Sequence, residues 1–221
     1  MSNELKKRIL TSIFLILLLA FMYLYSFIMI IALVIIAIII WIEFYALISK
    51  IIKGNRYQDH FFRHISKSAS LLYLSFFVYF IFLIESDYTD LKIYLLYSVL
   101  VAILSDIGGL VFGKTFKGKK LTKISPNKTI SGSIGSIVLS MVLIPIFYNE
   151  LIIYDLFTLI ILTITISLIS QIGDLFISFL KRKAKVKDTS DLLPGHGGLL
   201  DRVDGIIFAV PLGIFLLNFL N

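Results

Sequence analysis

The densest run of chemically competent side chains lies between Ser178 and Asp204. It reads Ser178-Phe179-Leu180-Lys181-Arg182-Lys183-Ala184-Lys185-Val186-Lys187-Asp188-Thr189-Ser190-Asp191-Leu192-Leu193-Pro194-Gly195-His196-Gly197-Gly198-Leu199-Leu200-Asp201-Arg202-Val203-Asp204. Lys181, Arg182, Lys187 and Arg202 can each meet phosphate oxygens. Asp188, Asp201 and Asp204 can hold a hard cation, because Mg²⁺ takes a few carboxylates and leaves its other positions to water and substrate phosphates. Asp201 and Asp204 stand three apart, which on a helix places them on one face. The Pro194-Gly195-His196-Gly197-Gly198 stretch lets backbone approach a ligand closely and offers unobstructed N–H groups. His196 has no second His or Cys at ligand spacing, so phosphate or base contact suits it better than metal binding.

A second polar stretch runs from Ser105-Asp106-Ile107-Gly108-Gly109 through Gly113-Lys114 to Ser125-Pro126-Asn127-Lys128-Thr129. Its Gly, Ser, Thr and Lys content also suits phosphate. The bland alternative is a basic loop meeting anionic headgroups, worth about 1 kcal/mol per Lys or Arg. Gly108 to Thr115 matches the P-loop spelling G-x-x-x-x-G-K-[ST]. That motif works only between a buried strand and a helix, and the segment before it is an apolar membrane segment, so the match reads as chance. Asp174, in Gln171-Ile172-Gly173-Asp174, is an ionisable group at the end of an apolar span and therefore a site candidate. The alternative is an interfacial carboxylate paired with Lys181 or Arg182. Asp106 has the same two readings. Glu43 reads as a snorkelling charge at a span end, and His60 and His64 as solvated groups in a basic loop.

The elements that must position these groups are membrane helices. Hydrophobic residues make up 58% of the 221, and none of the 34 positions from Ile9 to Ile42 is charged. That is well beyond the ~20 apolar residues that cross a bilayer, and too long for a signal-peptide core. Seven spans are expected, near Ile9–Tyr25, Phe27–Ile48, Ala69–Ile84, Leu91–Phe112, Ile130–Tyr148, Leu156–Ile177 and Gly205–Leu220, with a turn between the first two at Tyr25–Ser26. This split puts 20 of the 21 Lys and Arg residues on one side. Glu85, Asp87, Asp90, Glu150 and Asp155 fall on the other with Lys92, so the N-terminus and both polar loops are expected in the cytoplasm. The fold class is thus all-α: a polytopic transmembrane helical bundle of about seven spans with its active site at the cytoplasmic face. The chain is expected to be one integral membrane domain, with N-terminal spans over 1–104 and the catalytic part over 105–221. The absence of cysteine excludes disulfides and thiolate metal sites. The net charge of +7 first reflects topology, and nucleic acid is not an expected partner.

Ser178 to Asp204 resembles the signature of phosphatidate cytidylyltransferases, S-x-[apolar]-K-R-x4-K-D-x-[small]-x2-[apolar]-P-x-H-G-G-[apolar]-x-D-R-[apolar]-D, at every fixed position. Ile124-Ser125-Pro126-Asn127-Lys128-Thr129 and Gly173-Asp174-Leu175 are similar to further family segments. The resemblance implies transfer of a cytidylyl group from CTP to phosphatidate, giving CDP-diacylglycerol and pyrophosphate in phospholipid biosynthesis at a bacterial cytoplasmic membrane. It implies catalytic roles for Asp174, Asp201, Lys181 and Arg202. Mg²⁺ would be anchored by Asp174 and Asp201, helped by Asp204 or Asp188. Substrate contacts would come from Ser125, Lys128, Thr129, Ser178, Lys181, Arg182, Lys187, His196, Gly197, Gly198 and Arg202. A second cation such as K⁺ and assembly as a homodimer are left open. One alternative is a CDP-alcohol phosphotransferase, but its required Arg is absent after Asp204-Gly205, where Val210 follows Ala209. The other is a non-catalytic lipid transporter or lipid-binding protein, whose polar groups would punctuate several spans at the bilayer midplane.

Overall fold

Backbone in hydrocarbon must satisfy its own N–H and C=O groups, and a chain this apolar does so by coiling. The computed structural model describes residues 3–54, 56–86, 88, 91–122, 125–151 and 155–219, and these carry no β-strand, only helices and two isolated bridges. In order they form α1 (Asn3–Leu24), α2 (Ser26–Ile51), α3 (Tyr57–Ser86), α4 (Lys92–Phe116), α5 (Ile130–Ser140), α6 (Leu143–Phe147), α7 (Leu156–Lys183), α8 (Leu200–Val203) and α9 (Ile206–Phe219). The protein is therefore an all-helical, polytopic membrane protein. Each of the seven expected spans is helical. Five segments are long and apolar enough to cross a membrane: Ser26–Ile51, Tyr57–Ser86, Lys92–Phe116, Ile130–Phe147 and Leu156–Lys183. The apolar part of α1, Ile9–Leu24, and the 14-residue α9 are shorter than that. Of the charges counted for topology, Asp87, Asp90 and Lys123 lie outside the described residues.

The break expected near Tyr25–Ser26 falls at Tyr25, which is extended at φ −127°, ψ 105°. Hydrogen bonding continues across it, from Tyr25 N to Phe21 O at 2.9 Å and from Met29 N to Tyr25 O at 3.0 Å. One residue leaving the helical well is enough to separate α1 from α2. The fifth span is likewise interrupted, between α5 and α6. Pro145 has no N–H to give to Met141 O, and Ile144 N takes that carbonyl instead at 3.0 Å.

The chain forms two compact units, Met1–Asp87 with Leu180–Arg202, and Tyr88–Phe179 with Val203–Asn221. In the first, α2 and α3 pack through Ile40, Leu47, Leu74, Ile81 and Ile84, all buried. Ser26 donates to Glu85 at one end of this pair, and Trp41 Nε1 donates to Lys67 O at 3.2 Å nearer the other. Lys67, expected in a loop, instead lies inside α3. It is 7% exposed, with its ammonium 3.2 Å from the centre of the Tyr45 ring, whose π face attracts a desolvated cation.

In the second unit small residues bring helices close. A Cβ on Gly108 would fall 2.4 Å from Gly135 O, and one on Gly132 would fall 2.8 Å from Gly109 O. The stretch Gly108–Thr115 is thus an interior part of α4 packed on α5. It is neither a P-loop nor the loop expected to approach phosphate. Buried hydroxyls pair across helices, as lipid offers them no partner: Tyr97 with Thr163 at 2.5 Å and Ser105 with Ser167 at 2.9 Å. Ser133 donates to Gln171 at 2.5 Å. Asp155 accepts from Phe157 N, Thr158 N and the Thr158 hydroxyl ahead of α7. Those bonds, from Thr158 first, hold its carboxyl below the ordinary carboxylate range. Gly108→Val is expected to destabilise the second unit by roughly 1–3 kcal/mol through overpacking against the α5 backbone, read as a lower melting temperature in detergent; an unchanged melting temperature would contradict this packing.

Candidate active site

The last turn of α7 carries Lys181, Arg182 and Lys183, cations at the negative end of a helix dipole. The chain leaves the helix through Lys185, at φ 57°. Lys185 N bonds to Arg182 O at 3.1 Å and Val186 N to Lys181 O at 3.0 Å, the paired bonds of a Schellman ending. Leu193 to His196 is a tight turn, with His196 N donating to Leu193 O at 2.9 Å. Pro194 pre-sets its first corner, and Gly195 supplies the positive φ of 77° at the second, as a type II turn requires. Gly197 also has a positive φ, 83°.

This turn corrects one expectation. The N–H groups of Gly195–Gly198, expected as unobstructed donors for a ligand, are mostly used inside the protein. Gly197 N donates to Leu193 O at 3.2 Å, and Gly198 N to Asp201 Oδ2 at 3.0 Å. The glycines shape the loop around Asp201. A Cβ on Gly197 would fall 3.1 Å from Asp188 Cβ and 3.2 Å from Asp201 Oδ2.

Asp201 is the best-held group of the region. Its Oδ1 accepts from Lys181 Nζ at 2.6 Å. Its Oδ2 accepts from Thr189 N at 2.8 Å, Thr189 Oγ1 at 3.0 Å and Gly198 N at 3.0 Å. The Asp201 side chain is 3% exposed and that of Lys181 12%. Burial pushes the Asp201 carboxyl upward, but the Lys181 hydrogen bond, the Thr189 N–H, the Lys181 charge and the Gly198 N–H together bring it below its ordinary value. It is therefore ionised at neutral pH.

Glu43 of α2 is the group that sequence reasoning missed. Far from snorkelling, it is 5% exposed and accepts four hydrogen bonds. Ser190 Oγ at 2.5 Å and Leu199 N at 3.0 Å reach Oε1; Thr189 Oγ1 at 2.9 Å and Leu200 N at 2.8 Å reach Oε2. A carboxyl buried in a membrane helix is costly without such partners, and here they include backbone N–H groups at the start of α8. The available signal was an acidic residue directly after 34 uncharged positions. Helix α1 adds a lighter contact, from Thr11 Oγ1 to Pro194 O at 3.1 Å.

Arg202 is exposed and turns back on the loop, donating to His196 O from Nε at 3.0 Å and from an Nη at 2.6 Å. His196 Nε2 lies 3.4 Å from Ser12 Oγ. Its Nδ1 is buried with no hydrogen-bond partner among the described residues. Arg182, Lys187 and Asp188 are exposed. Asp204 is buried and falls after the end of α8, so it does not sit on that helix as expected of the Asp201/Asp204 pair.

In the second unit, Asp174 of α7 pairs with Lys128 and accepts from Ser178 Oγ at 3.3 Å. Lys128 is held by a short ladder, with Leu121 N donating to Lys128 O at 2.8 Å and Ile130 N to Lys119 O at 3.0 Å. Thr129 caps α5 by accepting from Gly132 N at 3.1 Å. Ser125 O accepts from Lys128 N at 3.0 Å. Among the described residues an open pocket of about 370 Å³ is lined by Lys120, Leu121, Thr122 and Pro126. Asp106 is half-buried within α4.

Among the described residues no three His, Asp or Glu side chains form a cluster able to hold a metal ion. Mg²⁺ needs only one or two carboxylates when substrate phosphates complete its shell. Asp201 fits that use, since Oδ1 accepts from Lys181 and has a second lone pair.

The family model described as the cytidylyltransferase family matches residues 2–220. A curated Staphylococcus haemolyticus protein named phosphatidate cytidylyltransferase is 43% identical over 122 residues, 54% of this chain and 46% of that protein. A Bacillus subtilis protein of the same name is 43% identical over 127 residues, 56% of this chain and 47% of that protein. One from Staphylococcus saprophyticus is 41% identical over 122 residues, 54% and 46% of the two chains. The chain spans about half the length of the curated relatives it matches.

Removing one partner of a buried ion pair leaves the other uncompensated. Lys181→Met is thus expected to cost about 3 kcal/mol of stability, and Lys181→Met with Asp201→Asn to recover part of it. Thermal unfolding of both variants and of Asp201→Asn in one detergent checks this; a double-variant loss equal to the sum of the two single losses would mean that the pair is not coupled.

Proposed function

The chain belongs to the cytidylyltransferase family, and we propose that it transfers a cytidylyl group from CTP to phosphatidate, releasing pyrophosphate and forming CDP-diacylglycerol. The observation that carries this reading is the Lys181–Asp201 pair, buried and held by three further donors on a loop that bears the family's signature. The names of the relatives support the choice of substrates.

The chemistry suits the residues. A phosphate oxygen of phosphatidate attacks the α-phosphorus of CTP. The new P–O bond forms as the bond to the bridging oxygen breaks, and pyrophosphate leaves with that electron pair. The attacking oxygen is already anionic at neutral pH, so no strong base is required. The barrier is repulsion between two polyanions and charge growing on the leaving group, which positioning and fixed charges lower. Lys181, Arg182, Lys187 and Arg202 are proposed to meet phosphate oxygens, and so are Ser125, Lys128, Thr129 and Ser178. His196, with a buried unpartnered Nδ1, is suited to contact the nucleotide. Asp174 and Asp201 are the carboxylates proposed to hold Mg²⁺, with Asp204 or Asp188 assisting. When bound, Mg²⁺ supplies charge neutralisation on the phosphates.

We place the reaction at the cytoplasmic face of a bacterial cytoplasmic membrane, on the strength of the asymmetry of Lys and Arg along the chain. The lipid substrate then never leaves the bilayer.

Purified protein in detergent with labelled CTP, phosphatidate and Mg²⁺ is expected to form a labelled lipid, and EDTA to abolish the product. Asp201→Asn should lower the rate by about 100-fold or more. Full activity of that variant would remove Asp201 from the mechanism, and no labelled lipid from the unaltered protein would remove the reaction.

A further inference from the structure

Glu43 has no part in the transfer as written, yet it accepts as many hydrogen bonds as Asp201, four each. It lies on α2, outside the signature. All four of its donors belong to the loop and to the start of α8. We infer that Glu43 is a positioning residue for the transfer, setting the Lys181–Asp201 pair through the Thr189 hydroxyl; this deepens the proposed function and rests on it.

Thr189 Oγ1 lies 2.9 Å from Glu43 Oε2 and 3.0 Å from Asp201 Oδ2. A hydroxyl has one proton, so it donates to one carboxyl oxygen at a time. The Thr189 N–H stays on Asp201 Oδ2 at 2.8 Å in either arrangement. Thr189 is thereby pinned between the two acids, and its place decides where Oδ1 of Asp201 faces Lys181. There is no slack around it. A Cβ on Gly198 would fall 2.0 Å from Thr189 Oγ1 and 2.7 Å from Glu43 Oε2. Nor can water substitute, since Glu43 is 5% and Thr189 7% exposed.

The amide of Glu43→Gln has nearly the same shape but carries an NH₂ in place of one oxygen. Whichever way it is turned, that NH₂ meets a backbone N–H, of Leu199 or of Leu200, which cannot become an acceptor. The loop must shift to relieve the conflict. Lys181 is the cation proposed to meet phosphate oxygens and Asp201 orients it, so a shift of the pair should lower kcat and kcat/KM alike.

The test measures kcat and KM for CTP in the unaltered protein, Glu43→Gln, Thr189→Val and Thr189→Ser, with amide hydrogen exchange over residues 187–203 in the same detergent. Glu43→Gln and Thr189→Val are expected to lose about 10- to 100-fold in kcat, with KM for CTP moving less than about threefold. Thr189→Ser, which keeps the hydroxyl, should restore most of the rate, and Glu43→Gln should exchange faster at Leu199 and Leu200. Should Glu43→Gln not fold, the Val and Ser pair at Thr189 decides alone. Equal rates for that pair, or a fully active Glu43→Gln beside an active unaltered protein, would overturn the inference while leaving the reaction intact. An inactive unaltered protein removes the reaction itself, and the positioning role with it.

Discussion

A polar atom withdrawn from water in a membrane protein must find its partner within the protein, and most of what is specific here follows from that constraint. Glu43 is its sharpest case. Buried on an otherwise apolar helix, it takes two backbone and two hydroxyl donors from a loop nearly 150 residues further along the chain. The loop buries Ala184, Leu199 and Leu200, and it closes the hydrogen-bond requirements of Glu43 and Asp201, whose donors overlap at Thr189.

The second unit meets the same constraint with smaller groups. Hydroxyls of Tyr97 and Thr163 and of Ser105 and Ser167 pair between α4 and α7, Ser140 of α5 donates to Val101 O of α4, and glycines let α4 and α5 approach closely. Such bonds are individually weak in a membrane, around 0.6 kcal/mol on average. Their effect is to select one register between helices that lipid would otherwise let slide. Asp174 and Lys128 sit at the polar end of this arrangement, where Thr129 starts α5.

The two lysine–carboxylate pairs, Lys181–Asp201 and Lys128–Asp174, have a common chemical logic. Each sets a lysine ammonium directly against a carboxylate. Arg202 is similarly restrained by the His196 carbonyl. Charge already fixed in place would add no reorganisation to the barrier of the reaction proposed above.

Local patterns were read correctly where the physics is local. The apolar runs marked each helical span, and the break at Tyr25 followed from where charge asymmetry required a turn. Asp174 stood out as an ionisable group at the end of an apolar span, and Lys181 and Asp201 as members of a dense polar run, though their partners did not. What could not be read were the partners. Gly108-Gly109 and Gly113-Lys114 had the composition of a phosphate loop and turned out to pack α4 on α5. Gly197 and Gly198 looked like open donors and are spent on the turn and on Asp201. Glu43 looked like a charge reaching for the surface. Composition and periodicity determine, from the sequence by itself, that the chain coils into membrane helices with charged residues at their ends. Which donor meets which acceptor depends on residues distant in sequence coming within about 3 Å of each other, and only the tertiary structure decided that.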